Sequence, residues 1–397
     1  MIFNHRYLWP VLAGSALLLS AGTIGNQQLP PPYATPSADN HPIVVAKPAN
    51  ASLHVPSGFQ IAEWAGGFVQ PRFLLAGSHG EILLADSGGD ETGRGVVYVF
   101  PNGNPSARKK LITGLTRPYG LALWKNYLYV GEPQSVKRFP YDAAKFIAGK
   151  GEQVISLAGF TKDHWTRSLL FDPSGRKLYV GIGSAANVET GEDPRRAAIN
   201  RYNPDGTGHE IFASGTRNPI GLHWYPNSDT LWAAVEERDE LGDNLVPDYF
   251  THVQQGGFYG WPYSYIGNHE DPRIKPQRPN LVAKAIVPDV LFRAHVAVLD
   301  FTFYTGSQFP SEYRGGAFLA FHGSWNRSRR DGYEVAFVPF ENGQPAGPAQ
   351  DFVTGWMIAP NNKDVWGRPV GVLEMRDGSL LISDDGGKKI WRVSYGH

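Results

Sequence analysis

Four stretches of the sequence hold residues that could do chemistry together. In Asp163-His164-Trp165-Thr166-Arg167 an imidazole lies between a carboxylate and a guanidinium. An imidazole with its ordinary pKa of about 6.5 is a suitable general base at neutral pH. Gly215-Thr216-Arg217-Asn218-Pro219 offers two donor side chains on a loop pinned by proline. A guanidinium binds carboxylate bidentately and can stabilise an oxygen that gains negative charge. The third stretch starts at Glu236 and sets Asp239, Glu240, Asp243 and Asn244 within one short loop. These are the hard oxygens that calcium takes six to eight at a time, although a solvated acidic turn has the same composition. The fourth, Phe321-His322-Gly323-Ser324-Trp325-Asn326-Arg327, adds another guanidinium, and Arg368-Pro369 adds one more. Arg167, Arg217, Arg327 and Arg368 as a group point to an anionic ligand. With 0 Cys in the sequence a thiolate nucleophile is excluded, and without a His cluster the sequence argues against zinc.

The elements that must position these residues are short strands. The chain has 397 residues, of which 46 are Gly and 31 Pro, and 42% are hydrophobic. That is enough apolar material for a large core, with turn residues far above the usual share, which argues for many strands and against a helical bundle. The 37 basic and 37 acidic residues balance, so there is no electrostatic case for nucleic acid or an anionic membrane as partner.

A pattern repeats along the chain. Apolar runs that end in a small or acidic residue occur at Ile82-Leu83-Leu84-Ala85-Asp86, Leu128-Tyr129-Val130-Gly131-Glu132, Leu178 to Ile182, Leu231 to Val235, Phe318 to His322 and Leu380-Leu381-Ile382-Ser383-Asp384. Before most of them stands a second anchor: Gln70-Pro71-Arg72, Arg117-Pro118-Tyr119-Gly120, Arg217-Asn218-Pro219 or Arg368-Pro369-Val370-Gly371. Repeats of roughly 40–60 residues separated by turn signals mark propeller blades. The expected fold is all-β, a six-bladed β-propeller with four-stranded blades and an insertion after the fourth blade, about Pro262 to Arg293. The anchors would then bring their polar residues to one axial mouth.

Ahead of the repeats, His5 and Arg6 precede an apolar run from Leu8 to Ala21, the pattern of an export signal. Residues 1–25 read as a signal peptide or N-terminal anchor, 26–52 as a Pro-rich linker and 53–397 as the propeller. An uncleaved N-terminal segment would be the sole membrane contact. An exported chain without Cys fits a periplasmic or secreted location.

Taken in order, the four stretches and Tyr259-Gly260-Trp261-Pro262 resemble the glucose/sorbosone dehydrogenase family, and within it the sorbosone dehydrogenase-like branch. Its members are soluble quinoprotein dehydrogenases on six-bladed propellers that use pyrroloquinoline quinone (PQQ) and calcium. The resemblance, from about Val55 to Trp391, implies oxidation of an aldose sugar or related aldehyde by hydride transfer to the quinone, with an external electron acceptor. It implies His164 as general base and Arg217 at the reacting quinone oxygen. Arg167, Arg217, Asn218, His295, Arg327 and Arg368 would surround PQQ. Asp239, Glu240, Asp243, Asn244 and Tyr259 would surround calcium. The chain departs from the branch at Asn244, where an acidic residue is common, and in the bulkier His295-Val296-Ala297-Val298-Leu299-Asp300. Two other readings are a metal-dependent propeller lactonase, which needs carboxylates and Asn converging from several blades, and a non-catalytic propeller that binds glycan or protein.

Overall fold

The computed structural model describes residues 28–161 and 163–396. The expected export signal therefore lies outside the described residues. Among these residues no helix is long and apolar enough to cross a membrane.

Six antiparallel blades follow one another. The first is Pro71–Ala76, Ile82–Asp86, Gly95–Phe100 and Lys109–Leu115. The second is Leu121–Trp124, Tyr127–Glu132 and Ser135–Asp142, with its outer edge split between Ile147–Ala148 and Glu152–Ser156. The third starts at Arg167–Phe171 and ends at Glu210–Ser214; the fourth starts at Asn218–Trp224 and ends at Val290–Ala294. The fifth runs from Val298–Phe303 to Gln350–Val353. The sixth is Pro369–Glu374, Leu380–Asp384 and Lys389–Tyr395, completed by Phe59–Gly66 from the start of the propeller. The innermost strands pack on one another in sequence, and Pro369–Glu374 meets Pro71–Ala76, closing the ring.

The repeated apolar runs are the second strands of the six blades. Ile82–Asp86 and Leu380–Asp384 are buried throughout, as continuous apolar strands require. Their acidic ends have a structural task. Asp86 accepts from the backbone N–H of Val69 and Gln70 at 2.9 and 2.8 Å, Glu132 from Thr116 N–H at 2.6 Å, and Asp384 from Arg368 N–H at 2.7 Å. Each carboxylate caps the loop that leads into its own blade, satisfying donors that no strand pairs. In the first, fourth, fifth and sixth blades the innermost strand also slips register near its start, at Pro71/Leu74, Pro219/Gly221, Val298/Phe301 and Pro369/Val372. Proline cannot donate to a ladder, so it belongs at such a bulge.

The long connection expected after the fourth blade lies inside it. Val290–Ala294, counted with the insertion in the sequence reading, pairs with Pro247–His252 as the blade's outer strand. The intervening segment holds the small hairpin of Ser264–Tyr265 and His269–Glu270 and a single helical turn, Pro279–Val282. The Pro-rich stretch before the propeller runs extended, and it lies against the loops. Tyr33 N–H donates to Leu241 O at 2.8 Å, Asn40 N–H to Trp325 O at 2.9 Å, and Ile43–Val44 pairs in parallel with Asp364–Val365.

The closing strand is held by more than its ladder. Phe59 makes edge contacts with Phe309, Tyr313, Phe352 and Tyr395, at 4.7 to 5.3 Å between ring centroids. Phe59→Ala is expected to cost about 3–5 kcal/mol. The measurement is the urea midpoint, which should fall at unchanged m value; a midpoint equal to that of the parent protein would show that the strand is not needed for closure.

Candidate active site

Each innermost strand starts on the same face of the ring, and the loop between second and third strands returns to that face. The lead-in residues Arg72, Arg117, Arg217 and Arg368 therefore share it with Ser184, Asn187, Glu236, Asp239, His322, Trp325 and Asp385. A cavity of about 370 Å³ opens there, lined by Asp163, His164, Asn187, Arg217, Glu236, Asp239, Glu240 and Trp325. Clefts of about 480 and 520 Å³ elsewhere on the surface hold no imidazole.

His164 precedes the third blade in a strained backbone, φ +34°. Strain of this kind concentrates at functional sites. Its Nδ1 lies 2.9 Å from Ser184 O and 3.1 Å from Ser184 Oγ, which donates to Ala186 O. A carbonyl only accepts, so Nδ1 carries the hydrogen and Nε2 keeps its lone pair. Burial, with Arg217 next in effect, pushes the imidazole down to about 3. The near-neutral pKa expected from the sequence is therefore not kept, and His164 is a neutral acceptor at ordinary pH. It sits on Gly183: a Cβ there would meet His164 Cβ at 2.4 Å and Asn218 Oδ1 at 2.3 Å. The missing side chain is what admits the other two.

Arg217 is buried and held on three sides. It donates to Asn187 O at 3.3 Å, Asn187 Oδ1 at 3.2 Å, Glu237 O at 2.6 Å and Asp239 Oδ2 at 3.1 Å. Asn218 donates to Glu236 at 2.8 Å, while its own Oδ1 is buried without a partner. Burial raises the Glu236 carboxyl above its usual range.

His295 belongs to the structure beneath this wall. Its Nδ1 faces Asp239 Oδ1 at 3.2 Å and its Nε2 faces Gly242 O at 3.0 Å. Both partners accept, so the ring is a doubly protonated cation; burial opposes that charge, but Asp239 and Gly242 O outweigh it and raise the pKa. Burial likewise opposes charge on Asp239, and His295 and Arg217 together hold its pKa low. His295 therefore braces Asp239 and does not line the cavity.

Several residues expected at the site do not reach the cavity. Arg167 is fully buried and donates to the carbonyls of Pro133, His164, Thr166 and Phe160. It ties the second and third blades and fixes the His164 backbone. Arg327 bonds Asn244 Oδ1 at 3.0 Å and Ala294 O at 3.3 Å; Asp243 accepts from Ser328 N–H at 2.9 Å. These pairs join the loops of the fourth and fifth blades. Tyr259 packs in the core of the fourth blade, and its hydroxyl donates to His252 O at 2.9 Å. Its neighbour Trp261 faces the site instead, donating to Asn187 O at 3.0 Å. The side chains of Asp239, Glu240, Asp243, Asn244 and Tyr259 thus diverge, and among the described residues no group of three His or carboxylates could hold a metal ion.

Other site residues were not foreseen. Asn187 stands in a loop without any motif and touches Arg217, Asp239 and Glu240. Across the mouth, Arg72 pairs with Asp385, and His322 Nε2 approaches the same carboxylate at 2.9 Å. Arg117 stacks over Trp165 at 4.1 Å, with Arg72 at 5.2 Å. Beside them Arg368, which the sequence did place at the site, donates to His322 O and Gly323 O at 3.1 and 3.2 Å. Arg72 Nε and Arg117 Nε are buried without partners.

A flat tricarboxylate such as PQQ requires cationic donors and aromatic walls. The guanidinium groups of Arg72, Arg117, Arg217 and Arg368, the orphaned donors among them, and Trp165 and Trp325 fit such a group. Calcium fares differently, because the Asp239 and Asp243 carboxylates and the carbonyls of Asp239, Leu241 and Gly242 in its expected loop already have donors.

The profile of the TrAA12-like family matches residues 53–255 and 280–396. An uncharacterized protein of Borreliella burgdorferi is 28% identical over 369 residues, covering 89% of this chain and 93% of that protein. The pyrroloquinoline quinone-dependent pyranose dehydrogenase of Coprinopsis cinerea is 23% identical over 84% of this chain, which spans about half (53%) of that protein's length. Two solved structures share the fold. One is a calcium structure of the Trichoderma reesei member of Carbohydrate-Active Enzymes Family AA12, with TM-score 0.75 and 22% identity over 90% of this chain and 99% of that one. The other is the holo form of the PQQ domain of the C. cinerea pyranose dehydrogenase, with TM-score 0.74 and 19% identity over 88% and 98%. With most of its length matched by the family profile, the chain belongs to the TrAA12-like family.

Proposed function

We propose that the protein is a PQQ-dependent oxidoreductase that oxidises an aldose sugar or related aldehyde, with an external electron acceptor. The observation that carries this reading is the imidazole of His164, its Nδ1 fixed by Ser184 O, in one cavity with Arg217. When bound, PQQ supplies an ortho-quinone able to accept a hydride equivalent. The chain's own residues do the rest. Arg72, Arg117, Arg217, Arg368 and Asn218 would hold the cofactor's carboxylates and oxygens. His164 Nε2 takes the proton of the substrate hydroxyl, and Ser184 keeps the ring in the accepting tautomer. Trp325 forms an apolar wall that limits water, and the Asp163 and Glu240 carboxylates at the rim can accept from sugar hydroxyls. The N-terminal pattern of charge, apolar run and small residues supports a periplasmic or secreted enzyme.

The test is titration of purified protein with PQQ, followed by dye reduction with a panel of aldoses. A saturable quinone absorption change and aldose-dependent reduction are expected. Absence of PQQ binding would remove the quinoprotein reading, and binding without turnover on any aldose or aldehyde would leave a propeller that only binds.

A further inference from the structure

The loop expected to hold calcium is already filled with positive charge. Asp239 O accepts from Arg273 Nη1 at 2.8 Å and from Asn187 Nδ2 at 3.1 Å. Asp239 Oδ2 and Glu237 O accept from Arg217. Asp239 Oδ1 and Gly242 O face the two ring nitrogens of His295 at 3.2 and 3.0 Å. Leu241 O takes Tyr33 N–H at 2.8 Å. Asp243 and Asn244 turn outward to Ser328 and Arg327. A cation entering this loop would have to displace those donors, and it would meet two guanidinium groups at close range, where like charges repel.

Arg273 is built for that place. Its Nε and Nη2 clamp the buried Asp271 carboxylate at 3.0 and 2.8 Å, which leaves Nη1 aimed at Asp239 O. Asp271 is fixed in turn by Arg238, buried and paired at 3.1 Å. A two-point carboxylate clamp fixes the direction of the third donor. Both Arg273 and Asp271 lie in residues 256–279, the stretch of the fourth-blade insertion that the family profile does not match.

We propose that Arg273 takes the place of a divalent cation in this loop, orienting the Asp239 carbonyl and supplying positive charge beside the cavity, so that the protein binds its anionic cofactor without calcium. The cofactor clause rests on the quinoprotein reading above; the metal clause does not. Arg273 is a positioning residue, acting through the Asp239 loop.

The experiment has two arms on the full chain. In the first, metal-stripped protein is titrated with calcium by calorimetry and melted with and without it, in the absence of PQQ; no binding heat and no change in Tm are expected. PQQ titrated by tryptophan fluorescence should then show the same affinity with calcium as with chelator. Calcium binding accompanied by a rise in Tm, or calcium tightening PQQ by about tenfold or more, would overturn the proposal. In the second arm, Arg273→Gln should weaken PQQ about tenfold, the effect of one charge-assisted contact, and should open the loop to calcium, which then raises Tm. Arg273→Lys, which keeps the charge, should remain indifferent to calcium. An Arg273→Gln protein that neither binds calcium nor loses PQQ affinity would also overturn it. If the parent protein binds no PQQ under any condition, the quinoprotein reading falls, and the calcium titrations still decide the role of Arg273.

Discussion

Replacing His164 by Gln is expected to lower turnover by about 10²-fold or more, the range of a lost general base, while PQQ affinity stays near that of the parent protein. Glutamine keeps the volume above Gly183 and can donate to Ser184 O, but it offers no basic nitrogen. The variant also has a signature that does not depend on activity. The folded protein holds His164 near 3, below its ordinary value of about 6.5. The unfolded chain therefore takes up the proton first. The stability that belongs to neutral His164 is complete above about pH 6.5 and declines as pH falls toward 3. At pH 5 the decline amounts to at most ~2 kcal/mol. His164→Gln should lose less Tm between pH 7 and pH 5 than the parent protein does. His322, pushed down to about 4 by burial and Arg368, contributes a similar decline to both proteins and cancels in the comparison. Parent-like turnover with PQQ bound would remove His164 from the mechanism.

The same histidine shows how far the sequence can be read. The six buried second strands were legible because a run such as Leu380-Leu381-Ile382-Ser383-Asp384 is apolar to its end and then turns. The acidic end that marked the repeat is a local cap, so its cause and its signal lie within one blade. The lead-in prolines were legible for the same reason. Closure of the ring was not. Phe59–Gly66 joins Lys389–Tyr395 across nearly the whole chain, and no local pattern distinguishes such a strand from any other. The outer strand of the fourth blade was absorbed into the insertion, because its partner lies on the far side of that insertion.

At the site, residue type alone separated little. His164, Arg217 and Asn218 stand on a lead-in that the repeat predicts, and the structure brings them together. Arg167 lies only three residues from His164, yet its guanidinium points into the seam between blades and meets four carbonyls. The acidic loop could be read as a calcium site or as a solvated turn, since both have the same composition. The structure puts the Arg273 guanidinium against Asp239 O, a contact visible only once the insertion folds back. Asn187, which links Arg217 to Asp239, carries no motif at all.

Arg217→Met is expected to destabilise the protein by about 3–5 kcal/mol, the cost of breaking a buried ion pair from one side, and to abolish measurable PQQ binding. The side chains of Arg217 and Asp239 are only 5% and 12% exposed. Without the guanidinium, the Asp239 carboxylate keeps His295, but Glu237 O loses its 2.6 Å donor and Asn187 loses two contacts. The cavity wall loses its cation at the same time. Two further variants separate structure from recognition. Asp239→Asn, alone and in the Arg217→Met background, closes a double-mutant cycle on urea midpoints that should read a coupling of about 1–3 kcal/mol between the two residues. Arg217→Lys keeps the charge but not the planar fork, so it should regain part of the stability and little of the PQQ affinity. Stability tests the pair with Asp239, and affinity tests the anionic ligand. If Arg217→Met melts with the parent protein, the network around Asn187 holds the wall without it. If Arg217→Lys binds PQQ as the parent does, a point charge suffices and the bidentate role assigned to this guanidinium is wrong.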